Sequence, residues 1–454
     1  MGFRSSCAAW LGRTARWAGE TFMHRSAGNL PGVIAMKAAP AVLADLGSNV
    51  DTVMVVSGTN GKTTTTNLVA DCLATSGRAL HCNRDGNNLE SGVVTALLVA
   101  PEPAAPEHAA EPALACFECD ELYTKYVLPR TKPRYFMLLN LFRDQLDRVG
   151  EIDHVQDTIA AALSATPDTV FLYNGDDPLC ASIAARIDNR SLAFGIACDM
   201  GIEGDRISDS RFCQKCGAAL EYDYVHYGQL GAYRCPSCGW GRPELAFAAE
   251  NVRMEDGGYV FDIDGRTVRT GQSGAYMIYN TLAAYAASKV SGVVEFENFQ
   301  RAVDTYRPTN GRLQTFELGE RTVMTNLAKN PTGFNQNIRI VLNEGGRVLA
   351  LFVNDQEADG CDVSWFWDID FERWSEIEGL KAFVGGERAN DMQVRLKYAG
   401  ITADIVDNAA DVLARTDAAD GKVYIIANYT ALPPIRRELE GLAANASAAA
   451  QKGE

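Results

Sequence analysis

A chain of 454 residues is too long for one ordinary hydrophobic core and implies two or three domains. Its 47% hydrophobic and 22% charged residues are a globular balance, and a formal charge of −16 makes nucleic acid a poor partner. No run of about 18 apolar residues occurs, so no membrane-spanning helix is expected; eight of the 12 cysteines are scattered through apolar or helical contexts, which reads as a reducing, cytoplasmic compartment.

The first 47 residues carry Arg4, Arg13, Arg16 and Arg25 in an Ala- and Trp-containing stretch without the uninterrupted apolar segment of a secretory signal. They read as an amphipathic helical segment packed on the first domain, with weak peripheral contact with a membrane surface allowed. Residues 52–56 (TVMVV) then form a strand, followed by a Gly-containing loop and a helix over 63–75. Strands are expected at 113–118, 135–141 and 169–173, with a helix over 155–165. This alternation predicts a mostly parallel, doubly wound α/β sheet. From 205 to 245 the texture changes to Cys, Gly, Tyr and polar residues, an insertion with its own scaffold. A helix over 276–290 restores the rhythm. The segment 307–312 (RPTNGR) is a hinge, which leaves 48–306 as a central domain. Strands at 348–353, 382–384 and 423–426 belong to a C-terminal α/β domain, 307–454, whose tail from 443 frays.

The loop after the first strand reads Ser57-Gly58-Thr59-Asn60-Gly61-Lys62-Thr63-Thr64. Gly58 and Gly61 allow the backbone to turn tightly and aim its N–H groups at phosphate oxygens. The following helix adds its N-terminal partial charge. Lys62 would reach the β/γ-phosphates, and the Thr63 hydroxyl would ligate Mg²⁺. The usual spacing puts a glycine at 56, where Val56 stands.

Inside the insertion, Cys213-x2-Cys216 and Cys235-x2-Cys238 are two knuckles, each followed by a glycine. Four thiolates at this spacing form a closed, structural Zn²⁺ site. His226, between them, reads as a surface or packing residue. Glu203, Asp205, Asp209, Glu221 and Asp223 argue against nucleic acid here too. Cys116 and Cys119 share the knuckle spacing but lie in a strand without a second pair, and read as structural. In the C-terminal domain, an acidic segment over 354–368 follows a strand and carries Trp365 and Trp367, the composition of a solvated loop anchored by aromatics. Cys361 has no histidine nearby to activate it.

The loop Gly58–Thr64 resembles the ATP loop of the Mur ligase superfamily, and further matches follow in order. They are Asn140-Leu141-Phe142-Arg143-Asp144-Gln145-Leu146-Asp147, with Gln145 where that family has His; Asn174-Gly175-Asp176-Asp177; Asn310-Gly311-Arg312; and Asn326-Leu327-Ala328-Lys329-Asn330-Pro331. The resemblance implies a ligase that activates a carboxylate with ATP as an acyl phosphate, which an amine then attacks. It makes Gly58, Thr59, Asn60, Gly61, Lys62, Thr63, Thr64, Asn280 and Arg312 nucleotide contacts and gives Glu118 a second Mg²⁺, with Asp120 and Glu121 as alternatives.

The ribbon, Asn-Leu-Ala-Lys-Asn-Pro and Ala-Asp-Gly-x-Asp-x-Ser-Trp together resemble the MurT family. That resemblance implies amidation of the D-glutamate α-carboxyl of lipid II at the inner membrane face, with ammonia from a GatD-type glutamine amidotransferase subunit. Asp362 would complete the partner's Cys/His triad, with Asp355 and Asp359 in reserve. Lys62, Glu118 and Asp362 are then the catalytic set. The competing readings are an amino-acid-adding Mur or folylpolyglutamate-type ligase and a non-catalytic ATP-binding protein. Gln145 and the Asn-Leu-Ala-Lys stretch weigh against the first, and the Lys62/Thr63 loop with Glu118 against the second.

Overall fold

Three helices open the chain: Phe3–Met23, Leu30–Ala38 and Val42–Gly47. The first buries a face of small residues, Ser5, Ala8, Ala9 and Gly12. A Cβ at Gly12 would come within 2.5 Å of Leu98 and 2.9 Å of the Pro31 carbonyl, so glycine is what permits this close packing. The computed structural model describes residues 2–23, 28–143, 151–255, 257–271, 274–307 and 311–452. Gln145, with Asp144 and Asp147, and Asn310 of the hinge lie outside the described residues. The chain forms two compact units. The first holds Met1–Phe142, Glu151–Glu203 and Asp209–Tyr306; the second holds Gly204–Ser208 and Arg307–Glu454.

In the first unit, β1 (Asp51–Ser57), β2 (Leu80–Cys82), β3 (Leu114–Glu118), β4 (Tyr135–Leu138), β5 (Val170–Asn174) and β6 (Ser191–Ile196) are parallel. Strands buried on both faces read as continuous apolar runs, as in Val53-Met54-Val55-Val56, all fully buried. The hairpin β7 (Glu221–Tyr227) and β8 (Leu230–Arg234) stands apart. β9 (Phe247–Glu255), β10 (Gly258–Ile263) and β11 (Arg266–Arg269) extend the main sheet as an antiparallel meander, giving the order β11-β10-β9-β6-β5-β4-β1-β3-β2. The helices Lys62–Ala74 and Ala275–Ser291 bury Leu68, Val69, Ile278 and Leu282 in its core. β1 lies between β3 and β4, where the strand order reverses, and a crevice outside the carboxyl ends of strands forms at such a point.

In the second unit, β12 (Gln314–Leu318) and β13 (Arg321–Leu327) form a hairpin turning at Gly319, whose φ is +68°. β14 (Val348–Phe352), β15 (Lys381–Gly385), β16 (Ala403–Ile405) and β17 (Val423–Ala427) are parallel, in the order β12-β13-β17-β14-β15-β16. Val348, Ala350, Phe352, Ile425 and Leu439 lie in its core.

The N-terminal helical segment consists of three helices, and one expectation changes. The strand expected over 135–141 stops at Leu138, because beyond it the backbone bonds to the phosphate loop instead of a neighbouring strand. Of the two readings of His226, surface or packing, the second holds: it is fully buried, 5.1 Å from Tyr224 and 6.1 Å from Tyr279 between ring centroids.

Candidate functional site

Two loops meet at the carboxyl ends of β1 and β4. Gly58 and Gly61 have φ of +135° and +87°, and Gly61 is the N-cap of the helix Lys62–Ala74. A side chain at Gly61 would strike Asn280 Oδ1 at 2.5 Å. Asn140, just past β4, pins the loop: its Oδ1 accepts from Asn60 N–H at 2.9 Å, its Nδ2 donates to Asn60 O at 3.0 Å, and its carbonyl accepts from Thr59 N–H. The Thr59 hydroxyl donates to Phe142 O and accepts from Phe142 N–H. The resulting cradle of backbone N–H groups at a helix N-terminus suits an anion such as a nucleotide phosphate.

Lys62 is buried. Its Nζ donates to Gly58 O at 2.5 Å and lies 3.3 Å from both carboxylate oxygens of Glu121. Thr63 Oγ1 donates to Glu118 Oε2 at 2.6 Å. Glu118 is held on its other oxygen by Asn88 Nδ2 at 3.0 Å, and its backbone exchanges two 2.8 Å hydrogen bonds with the Asn83 side chain. Gly86, at φ +78°, turns the 83–88 loop beside this pair, where a Cβ would meet Thr63 Oγ1 at 3.1 Å. The three neighbouring acids therefore separate. Glu118 meets Thr63, Asp120 caps a short turn through Leu122 N–H, and Glu121 pairs with Lys62. Asn280 accepts from Thr65 Oγ1 at 3.3 Å. Thr64 is buried in the first turn of the same helix. Arg312 lies half-buried in the second unit, just ahead of β12. In the Asn326–Pro331 stretch, Asn330 caps the helix Pro331–Asn343 through Gly333 N–H, and Asn326 donates to Asn337 Oδ1 at 2.7 Å.

Asp176 and Asp177, in the turn after β5, tie the β4 loop to the insertion. Asp177 accepts from Leu141 N–H at 2.8 Å and from Gln229 Nε2 at 3.4 Å, and Gln229 also donates to Leu141 O. Asp176 accepts from Tyr279 OH, Ile196 N–H and Arg242. Burial pushes both carboxyls up to about 6 against the lowering effect of these donors.

The four cysteines converge at the base of the β7–β8 hairpin. Cys213 and Cys238 sulfurs are 3.6 Å apart, Cys216 and Cys235 3.5 Å, and all four lie within 4.8 Å of one another. Sulfurs on a tetrahedron around an ion at about 2.3 Å would be about 3.8 Å apart, so the set fits a metal. Gly217 and Gly239, at φ +75° and +72°, let each knuckle fold back, their N–H groups bonding to Cys213 O and Cys235 O. Cys116 and Cys119 are buried elsewhere, and burial holds both thiols well above the usual range, that of Cys116 at about 12.

After β14 the acids again part company. Asp355 is paired with Arg388 at 2.5 Å. Asp359 is buried and accepts from Thr430 N–H and its hydroxyl. Asp362 is exposed and pairs with no basic side chain among the described residues. Ser364 N–H and Oγ donate to its two oxygens at 2.8 and 2.9 Å, which holds its carboxyl below the usual range. Trp365 packs on Phe334 and Phe366. Trp367 is exposed beside Tyr398, with the Arg395 guanidinium over its ring.

Asn83, Asn88 and the pinning role of Asn140 escaped the sequence reading. The run Asp85-Gly86-Asn87-Asn88 after a short strand was the available signal for a turn.

Residues 56–235 match the Mur ligase middle domain, and residues 327–432 match the MurT ligase C-terminal domain. The MurT subunit of the glutamine-hydrolyzing lipid II isoglutaminyl synthase of Staphylococcus aureus strain N315 is 33% identical over 96% of this chain and 98% of its own. The same subunit of Streptococcus pneumoniae is 32% identical over 90% and 92%. Among solved structures, a pseudomurein peptide ligase type C from Methanothermus fervidus superposes with a TM-score of 0.64 at 18% identity, over 87% of this chain and 80% of that one. MurF ligase of Thermotoga maritima in complex with ADP gives 0.61 at 14% identity, over 91% and 84%. These two share the fold.

Proposed function

Because the chain belongs to the MurT family of Mur-type ligases, we propose that it is the synthetase subunit of a glutamine-hydrolysing lipid II isoglutaminyl synthase. The observation that carries this reading is the near-full-length match to MurT subunits. The phosphate cradle supports it from the side of the chemistry. ATP would bind along Gly58–Thr64, with Asn280 behind the loop and Arg312 as a further contact. Lys62 would exchange its loop carbonyls and Glu121 for the β/γ-phosphates. Thr63 and Glu118 would hold Mg²⁺, which neutralises phosphate charge when bound. Their 2.6 Å contact supports one shared ion rather than the separate ions expected from the sequence. Catalysis of this kind is positioning and charge stabilisation. The D-glutamate α-carboxylate takes the γ-phosphoryl group and ADP leaves; ammonia attacks the acyl phosphate, and phosphate leaves as the amide forms. The four cysteines would hold Zn²⁺ in a closed, structural site.

Ammonia would come from a GatD-type glutamine amidotransferase. Asp362 suits a role in that partner's triad: it is exposed, ionised and oriented by Ser364, while Asp355 and Asp359 are committed within their own unit. The test is to purify the chain with such a partner and supply lipid II, ATP and glutamine. An amidated stem peptide is the expected product. Transfer of a free amino acid to the acceptor, without amidation, would overturn the reading.

A further inference from the structure

The helix Phe3–Met23 presents an outer face that nothing in the catalytic reading uses. Phe3, Trp10 and Trp17 recur every seven residues, which is just under two turns, so they form one stripe. The stripe lies opposite the buried face of Ser5, Ala8, Ala9 and Gly12. Its residues are 85%, 64% and 59% exposed, and Leu11, at 42%, widens it. Three large aromatics in the open on one helix are a patch that a water-facing surface does not need.

The charge around the stripe identifies its occupant. Arg4 and Arg13 flank it on opposite sides; Arg4 is exposed, while Arg13, also exposed in part, donates from Nε to Leu98 O at 3.0 Å. The first 40 residues hold five Lys or Arg and a single acid, Glu20, whereas the whole chain has 42 basic and 58 acidic residues. A local cationic rim on an otherwise acidic protein fits an anionic surface. Tryptophans suit the boundary between headgroups and acyl chains, where the ring is apolar and the indole N–H stays wet. No helix among the described residues is long and apolar enough to cross a membrane, so the arrangement is one that lies in the interface. A second copy stacked on the stripe would bring like-charged arginine rims together.

We propose that this helix docks the protein on an anionic lipid bilayer, with Phe3, Trp10 and Trp17 inserted at headgroup level and Arg4 against lipid phosphates. The inference stands apart from the amidation reading, because it needs neither ATP nor substrate. The experiment floats the full-length chain with vesicles of phosphatidylglycerol or of phosphatidylcholine, free of lipid II. The chain should bind the anionic vesicles, bind the neutral ones weakly, and come off as salt is raised. Trp10→Ala/Trp17→Ala should bind about tenfold more weakly while circular dichroism shows it still folded. Arg4→Glu should weaken anionic binding alone. No binding to phosphatidylglycerol, or equal binding by the double tryptophan variant, overturns the proposal. So does sedimentation showing that the double variant turns a dimer into a monomer, which assigns the stripe to a second copy. Loss of a co-purifying partner subunit in that variant assigns it to the partner and overturns the proposal equally.

Discussion

Lys62 Nζ lies 3.3 Å from both carboxylate oxygens of Glu121, a residue 59 positions further along the chain. The pair is buried, so the cation that would meet phosphate is held by a carboxylate just outside the loop. Lys62→Ala should lower ATP-dependent turnover by about 10²–10³-fold, the usual effect of removing one preorganised electrostatic contact. It should also lower the melting temperature, because Glu121 is left as an unpaired buried charge. Steady-state ATPase and amidation assays, with a thermal melt alongside, separate the two effects. Glu121→Gln should cost less activity than Lys62→Ala. Near-normal turnover by folded Lys62→Ala would remove the loop from the reaction.

The four-cysteine site should contain one zinc per chain by elemental analysis of protein purified without chelator. Cys235→Ser should lose the metal and destabilise the β7–β8 hairpin, since metal binding at such sites is coupled to folding. Full retention of zinc and stability in that variant would count against a metal role.

Asp362→Asn keeps the side-chain size and removes the charge. With the partner subunit present, glutamine-driven amidation should collapse, while amidation driven by high free ammonia survives. Loss of both routes would assign Asp362 to the ligase site. Loss of neither would make it a surface residue.

His226 should make the protein acid-sensitive. Burial among Tyr224 and Tyr279 pulls its imidazole down to about 4, against the raising effects of the Ile196 carbonyl and the Asp199 charge and with a smaller lowering effect from Arg242. In the unfolded chain the same ring titrates near its ordinary value of 6.5. Between those values the unfolded state binds the extra proton, so stability falls as pH drops from about 6.5 toward 4, by on the order of 2 kcal/mol at pH 5. Asp176 and Asp177 act in the opposite direction: their raised folded values make the native state bind protons first, and stability falls as pH rises from about 4 to 6. Comparing melts of wild type and His226→Phe from pH 7 to 5 isolates the histidine. The variant should lose less stability on acidification, and parallel curves would dismiss the effect.

The parts of the fold and site that are legible in sequence are those written locally. Glycines at 58 and 61 before Lys62-Thr63, and two Cys-x2-Cys knuckles each followed by glycine, encode their geometry within a few residues. The contact of Thr63 with Glu118 was not legible, because it depends on β1 and β3 lying side by side in register. The sorting of Asp355, Asp359 and Asp362 into paired, buried and exposed acids depends likewise on Arg388 and Thr430, which are remote in sequence. The meander β9–β11 was missed although Asp264-Gly265, both at positive φ, is a hairpin turn signal. The polar, exposed residues of β9 and β11 on either side of the buried β10 hid the pattern.

The bonds from Gln229, Gly231 and Arg242 to the Asp176–Asp177 turn make the insertion part of the central domain's interior. Excising the cysteine-bearing segment would take one donor from each of two interior carboxylates and release the Leu141 carbonyl as well. The segment is thus fastened to the central domain by polar bonds that only it supplies, beyond its own metal-binding scaffold. A version of the protein trimmed of this segment should therefore melt at a lower temperature than the intact chain, while Asp176 keeps Ile196 N–H and Tyr279 OH and Asp177 keeps Leu141 N–H and Leu179 N–H as donors.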